Sequence, residues 1–217
     1  MQKRIPKFKA VIFDMDGVIT NTMPYHFDAW LKVLSEAGIR VNCYDIYKRE
    51  GEAGINTIKD LFRERKIKIT GREARCLLAK KEKLFKKIVR VKFVKGSRLF
   101  LRKLKKYHII SGLVTGTSRH EMEHMLPARL KNMFEVTVTG DEVRRGKPYP
   151  GSFLKALRII GLQRKDVVVI ENAPFGITAA KRAGLFCIAL ETSLPKKYLT
   201  NADKVVKSFK DLEKIII

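Results

Sequence analysis

At 217 residues the chain can bury a good core as one domain, or as a domain carrying a smaller insertion. Hydrophobic content of 45% with 31% charged residues reads as globular, and no apolar run approaches the roughly 18 residues of a membrane span, so a membrane protein is not expected. Lys and Arg number 46 against 22 Asp and Glu, a net charge of +24, so anionic substrates or partners are expected. The basic N-terminus, Met1 to Pro6, has no apolar segment behind it, so no secretory leader is expected. Cys43, Cys76 and Cys187 are odd in number and far apart, fitting neither a disulfide framework nor a zinc site. A reduced, cytoplasmic, monomeric protein is the corresponding expectation.

In chain order, Val11-Ile12-Phe13 reads as a buried strand that runs into Asp14-Met15-Asp16-Gly17-Val18. Side chains alternate along a strand, so an extended chain would aim Asp14 and Asp16 the same way, with Gly17 turning the backbone aside. Two carboxylates so placed suit phosphoryl transfer: one attacks phosphorus, the other handles the proton. A calcium loop fails on spacing, because its fifth and twelfth positions would be Val18 and Tyr25. A plain strand-ending turn stays open from these letters alone.

Residues 22 to 37 then read as a helix with Phe27, Leu31 and Leu34 on its apolar face, Asn21 or Thr22 as cap and Gly38 as stop. Further helical stretches follow near 54–65 and 71–89, with no convincing strand before residue 92. From there helices and strands alternate. Helices are predicted over 97–106, 119–130, 151–160 and 175–183, strands over 109–115, 136–139, 167–170, 186–190 and 204–206, and a helix at the end. Alternation implies a parallel sheet with right-handed crossovers. The fold class is therefore α/β, a Rossmann-like parallel sheet of residues 1–21 and 92–217 carrying a small helical insertion over 22–91.

Three more strand ends carry chemistry. Thr115-Gly116-Thr117-Ser118 offers hydroxyls and amides to phosphate oxygens, Gly146-Lys147-Pro148 fixes a cation, and Glu171-Asn172 offers hard oxygens suited to Mg²⁺. Each also reads as a helix cap, a surface charge or an ordinary turn; together, in one crevice, they read as a site.

On these motifs, with Ala173-Pro174-Phe175-Gly176 continuing the last, the sequence resembles the haloacid dehalogenase superfamily, in its branch of β-phosphoglucomutase-like mutases and phosphatases. The resemblance covers essentially the whole chain and implies that the insertion is a cap. It further implies Asp14 as nucleophile, Asp16 as general acid and base whose carbonyl also meets the metal, and Thr115 and Gly116, beside Thr117, as phosphoryl contacts. Lys147 would neutralise charge, and Asp14, Asp16, Glu171 and Asn172 would hold Mg²⁺. Dehalogenases and phosphonatases lack the second carboxylate, so Asp16 sets those reactions aside. Thr22, His26 and Trp30, spaced by four, match residues that face the cleft in the glucomutases, where the histidine orients the acid/base aspartate.

Two positions depart from the mutase pattern. Asn172 stands where the glucomutases carry aspartate, and Gly54 where a mutase places the arginine that grips a distal phosphate, with Arg49 nearby as a substitute. The expectation is a Mg²⁺-dependent phosphatase of small, sugar-like phosphate monoesters, with β-phosphoglucomutase as the alternative. A nucleic-acid-binding protein on a phosphatase fold is the rival from another class. It rests on thirteen basic residues against one acidic between Lys80 and Lys106.

Overall fold

Ala10–Phe13 forms strand β1, and all four of its side chains are buried. The structure is a computed structural model describing residues 8–217; the N-terminal segment considered above for a leader lies outside the described residues. β1 pairs in parallel with β2 (Ile110–Val114) on one side and β4 (Val167–Glu171) on the other. Adding β3 (Val136–Val138), β5 (Phe186–Leu190) and β6 (Lys204–Val206) gives six parallel strands in the order β3-β2-β1-β4-β5-β6. The order reverses at β1, and the crevice beyond the carboxyl end of such a strand is where open α/β sheets bind ligands.

A parallel sheet must be covered on both faces, and the period of two sorts β1 accordingly. Val11 and Phe13 enter one core layer with Phe100, Leu101 and Leu104; Ala10 and Ile12 enter the other with Phe153, Ala156 and Ile177. Helices α5 (Ser97–Lys106) and α10 (Phe209–Ile216) cover the first face, α8 (Gly151–Ile160) and α9 (Pro174–Arg182) the second. Between β1 and α5 the chain forms α1 (Met23–Glu36), α2 (Cys43–Tyr47), α3 (Gly54–Glu64) and α4 (Gly71–Ile88). These four share a separate small core that includes Trp30, Leu34, Ile58, Leu61 and Phe62.

Several expectations need correction. The buried side of α1 is Met23, His26, Ala29, Trp30, Val33 and Leu34, whereas Leu31 is 37% exposed: the polar-looking stripe is the buried one. The helix predicted over 119–130 is two, α6 (Arg119–Met125) and α7 (Ala128–Lys131), because Pro127 cannot continue α6. The short α2 was not predicted, although its reciprocal cap, Asn42 with Asp45, is legible in the sequence.

Phe100 carries the first face: its ring meets Phe13 edge-on at 6.1 Å and Phe209 at 5.5 Å. Phe100→Ala should cost about 3–5 kcal/mol in urea unfolding. Leu99→Ala, one residue earlier and 51% exposed, should cost less than about 0.5 kcal/mol.

Candidate active site

Strand β1 stops at Phe13, and the next amide, Asp14 N–H, still donates to Ile170 O at 3.0 Å. The chain then turns at once: Ile19 and Thr20 N–H both donate to Met15 O at 2.9 Å, and Gly17 takes φ 88°, open to glycine at little cost. Asp16 sits at the mouth of this turn, bridged to Thr20.

Asp14 faces Lys147, whose Nζ lies 2.5 Å from Asp14 Oδ1 and 2.5 Å from Glu171 Oε1. All three side chains are buried. Burial pushes the Asp14 carboxyl up to about 8; Lys147 opposes that shift, while Glu171 and Asp16 add to it. Burial alone would lower the Lys147 ammonium, but Asp14 and Glu171 outweigh it and hold the lysine above its ordinary value. Glu171 also accepts from the amides of Asn172 at 2.9 Å and Ala173 at 3.3 Å.

Asp16 has different company. Its Oδ1 accepts a short hydrogen bond from the Thr22 hydroxyl and a long one, 3.5 Å, from Thr20; its Oδ2 accepts from the Thr117 hydroxyl at 3.2 Å. His26 Nε2 stands 3.5 Å from Oδ1. Burial works to raise Asp16, but His26, Thr22 and Thr117 prevail and hold it below the ordinary carboxylate value. The Thr22 side chain does not cap α1: its hydroxyl serves Asp16 instead.

His26 is held in turn. Its ring stacks on Phe85 at 4.0 Å, and its Nδ1 lies 3.2 Å from Lys81 Nζ. An ammonium there donates to Nδ1, which leaves the imidazole proton on Nε2, facing Asp16. Burial, then Lys81, keeps the imidazole below its ordinary value, and burial likewise lowers Lys81. Lys81 belongs to the basic run between Lys80 and Lys106, yet it is buried, with Nζ 5.1 Å over the Trp30 ring. Its place was legible, because Ala74, Lys81 and Phe85 recur at helical spacing on the buried side of α4.

Thr115, after β2, is buried, and its hydroxyl accepts from Thr117 N–H at 3.1 Å. Gly116 lies directly beneath Gly51: a Cβ on Gly116 would fall 2.7 Å from Gly51 Cα. Gly51 O accepts from Lys147 N–H at 3.2 Å, and Lys48 O from Phe175 N–H at 3.0 Å. The 48–51 loop is thus bonded, backbone to backbone, across the strand ends. The cleft left behind it encloses about 100 Å³ and is lined by His26, Trp30, Glu50, Gly54, Lys81 and Thr117 among others. That is small beside typical ligand pockets of roughly 300–1,000 Å³. Half-buried Glu50, absent from the sequence reading, is pushed well above the carboxylate range by burial and by Asp16 and Asp14.

Arg49 lines the same cleft but is engaged elsewhere: it donates to Asp45 O at 2.9 Å and makes a short ion pair with Glu64. Gly54 faces Leu78, whose Cδ1 would lie 2.5 Å from a Cβ there. Asn172 Nδ2 donates to Asp16 O at 3.1 Å and to Ser193 Oγ at 2.7 Å, while Thr192 Oγ1 donates to Gly17 O at 2.6 Å. Thr192 and Ser193 also escaped the sequence reading, although they follow β5 as the other site residues follow their strands.

Two buried oxygens, Asp14 Oδ2 and Asn172 Oδ1, have no hydrogen-bond partner. Such oxygens fit a hard cation. Mg²⁺ keeps several waters and takes one or two carboxylates, a demand these oxygens can meet.

The family model of haloacid dehalogenase-like hydrolases matches residues 11–190. β-Phosphoglucomutase of Bacillus subtilis is 32% identical over 213 residues, covering 94% of this chain and 91% of its own. Fructose-1-phosphate phosphatase YqaB of Escherichia coli is 30% identical over 182 residues, covering 82% and 94%. The solved β-phosphoglucomutase of Clostridium difficile shares the fold, with a TM-score of 0.80 at 22% identity over 96% of both chains. The chain therefore belongs to the haloacid dehalogenase-like hydrolases and, like these relatives, is an enzyme of phosphate esters.

Proposed function

We propose that the protein is a Mg²⁺-dependent phosphatase of small, sugar-like phosphate monoesters, working through an aspartyl-phosphate on Asp14 with residues 22–91 as its cap. The observation that carries this reading is the different company of two carboxylates one residue apart: Asp14 on a buried lysine, Asp16 on hydroxyls and a histidine. Asp14 attacks phosphorus while Lys147 offsets the charge gathering there. Asp16 passes a proton to the leaving oxygen, then takes one from the water that cleaves the aspartyl-phosphate. Its depressed pKa favours that second role. Thr115, Gly116 and Thr117 line the phosphoryl position beside it. Asp14 Oδ2 and Asn172 Oδ1 would hold Mg²⁺, with the Asp16 carbonyl and Glu171 beside them. Bound there, the cation screens the carboxylates and polarises the phosphoryl oxygens.

Asp14→Asn should lower turnover more than about a thousandfold and leave the fold intact. A second readout follows from linkage. Because Asp14 titrates higher folded than unfolded, protonated Asp14 is accommodated below pH 4, and stability is lost as pH rises from about 4 through about 8. In chelator, Asp14→Asn should match the wild-type melting temperature near pH 4 and exceed it by a few degrees at pH 8. Equal melting at both values would show that burial does not strain this carboxylate.

Activity should vanish in chelator and return with Mg²⁺. Asn172→Asp would set a carboxylate against Asp16 O and Ser193, where Nδ2 now donates. That variant should melt lower than wild type without metal, and gain more on adding Mg²⁺. Calorimetric titration should show tighter binding; unchanged affinity would place the metal elsewhere.

The distal wall supports hydrolysis over mutation. A mutase must grip a second phosphate, and here that wall offers Gly54 and Leu78, with Arg49 already paired to Glu64. Inorganic phosphate should be released from several monoesters. Little β-glucose 1-phosphate should become glucose 6-phosphate, even with a bisphosphate primer. Gly54→Arg alone should meet Leu78; Gly54→Arg with Leu78→Ala should raise transfer modestly. Efficient primer-dependent isomerisation by the unmodified protein, with negligible phosphate release, would make it a mutase.

A further inference from the structure

Outside the cleft, α5 carries five cations and no carboxylate. Arg98, Arg102 and Lys105 recur at helical spacing on one exposed side of it, and Arg129 of α7 faces them across a groove of about 460 Å³. The floor is apolar, with Phe93, Leu130 and Met133, and Arg98 lies over the Phe93 ring at 5.0 Å. No carboxylate lines this groove among the described residues, and its four cations form no ion pair there. Some cations elsewhere are matched: Lys86 with Glu121, Lys103 with Glu213, Lys147 with two carboxylates. The groove shares no lining residue with the catalytic cleft.

We infer that the groove between α5 and α7 is a docking track for the phosphodiester backbone of single-stranded nucleic acid, distinct from the phosphatase site. Three features favour a chain over a small anion. The cations form a row about 10 Å long, from the 1.5 Å rise per residue between Arg98 and Lys105. Three of the four are arginines, which grip phosphate in a planar fork and stack on flat rings. Further exposed cations flank the row in sequence, Lys92 and Lys95 before it and Lys106 after it, on a chain of net charge +24. Apolar and aromatic surface beneath a cationic rim is the composition that holds bases while the rim follows the backbone.

The test is fluorescence anisotropy with a labelled 20-nucleotide single-stranded RNA, between 50 and 250 mM salt. Binding should be measurable at 100 mM and weaken steeply with salt. Arg98→Gln/Arg102→Gln/Lys105→Gln should bind at least tenfold more weakly at 100 mM, with a log–log salt slope shallower by about two, at roughly 0.7 for each phosphate no longer neutralised. Arg129→Gln, on the opposite wall, should weaken binding on its own. Both variants should hydrolyse a small phosphate monoester at the wild-type rate, which also reports that they fold. The comparison is Lys196→Gln/Lys197→Gln/Lys204→Gln, which removes three exposed charges on the far side of the sheet order. An equal loss in that variant would show diffuse attraction and overturn the groove. So would no binding at 100 mM, or displacement of the RNA by AMP at equal concentration, which would make this a mononucleotide pocket.

Discussion

The buried lysine bridge governs this structure. Asp14, Asp16 and Glu171 are all but fully buried, and Lys147 is the one ammonium among them that touches two. Taking three carboxylates out of water against one cation leaves the crevice short of positive charge, a debt that hydroxyls and amides only partly offset. The chain tolerates it because the sheet leaves no alternative: β1, β2 and β4 end side by side, and each delivers its polar residue to the same crevice. Two unpartnered oxygens at that point mark where the missing charge belongs.

Around the bridge the protein keeps two proton-bearing carboxylates apart in character. Asp14 is raised by burial and by acidic neighbours; Asp16 is lowered by a histidine and two hydroxyls, those of Thr22 and Thr117. The helical block supplies most of the second set. Thr22 and His26 come from α1 and its cap position, and Lys81 and Phe85 from α4, which steady the imidazole. The surroundings of Asp16 thus depend on that block lying against the sheet, and so in part does Lys147, whose N–H donates to Gly51 O.

The strand ends were readable because apolar runs of four or five residues stop at polar letters, and topology obliges parallel strands to finish together. The turn was legible at Gly17, but not its hydrogen bonds, in which the amides of Ile19 and Thr20 reach back to Met15 O. Nor could local pattern show that α1 buries its histidine and tryptophan rather than Leu31. That choice belongs to α4, which presents Lys81 and Phe85 to them. Lys81 itself was hidden by its neighbours: twelve other cations between residues 80 and 106 made one more look like solvent-facing charge. Burial periodicity along α4 was the signal that outranked composition.

The seam between Gly51 and Gly116 has a consequence for how this enzyme could acquire new substrates. It is backbone against backbone, so it excludes by bulk and has no side chain with which to prefer one hydroxyl over another. Under the proposed function, choice among substrates falls to the other lining side chains, Trp30, Leu78, Glu82 and Glu121. The shutter and the sieve are therefore different parts. Replacing side chains in the sieve can retune what enters while the shutter stays as it is, but a single methyl group added at the seam would wedge both open.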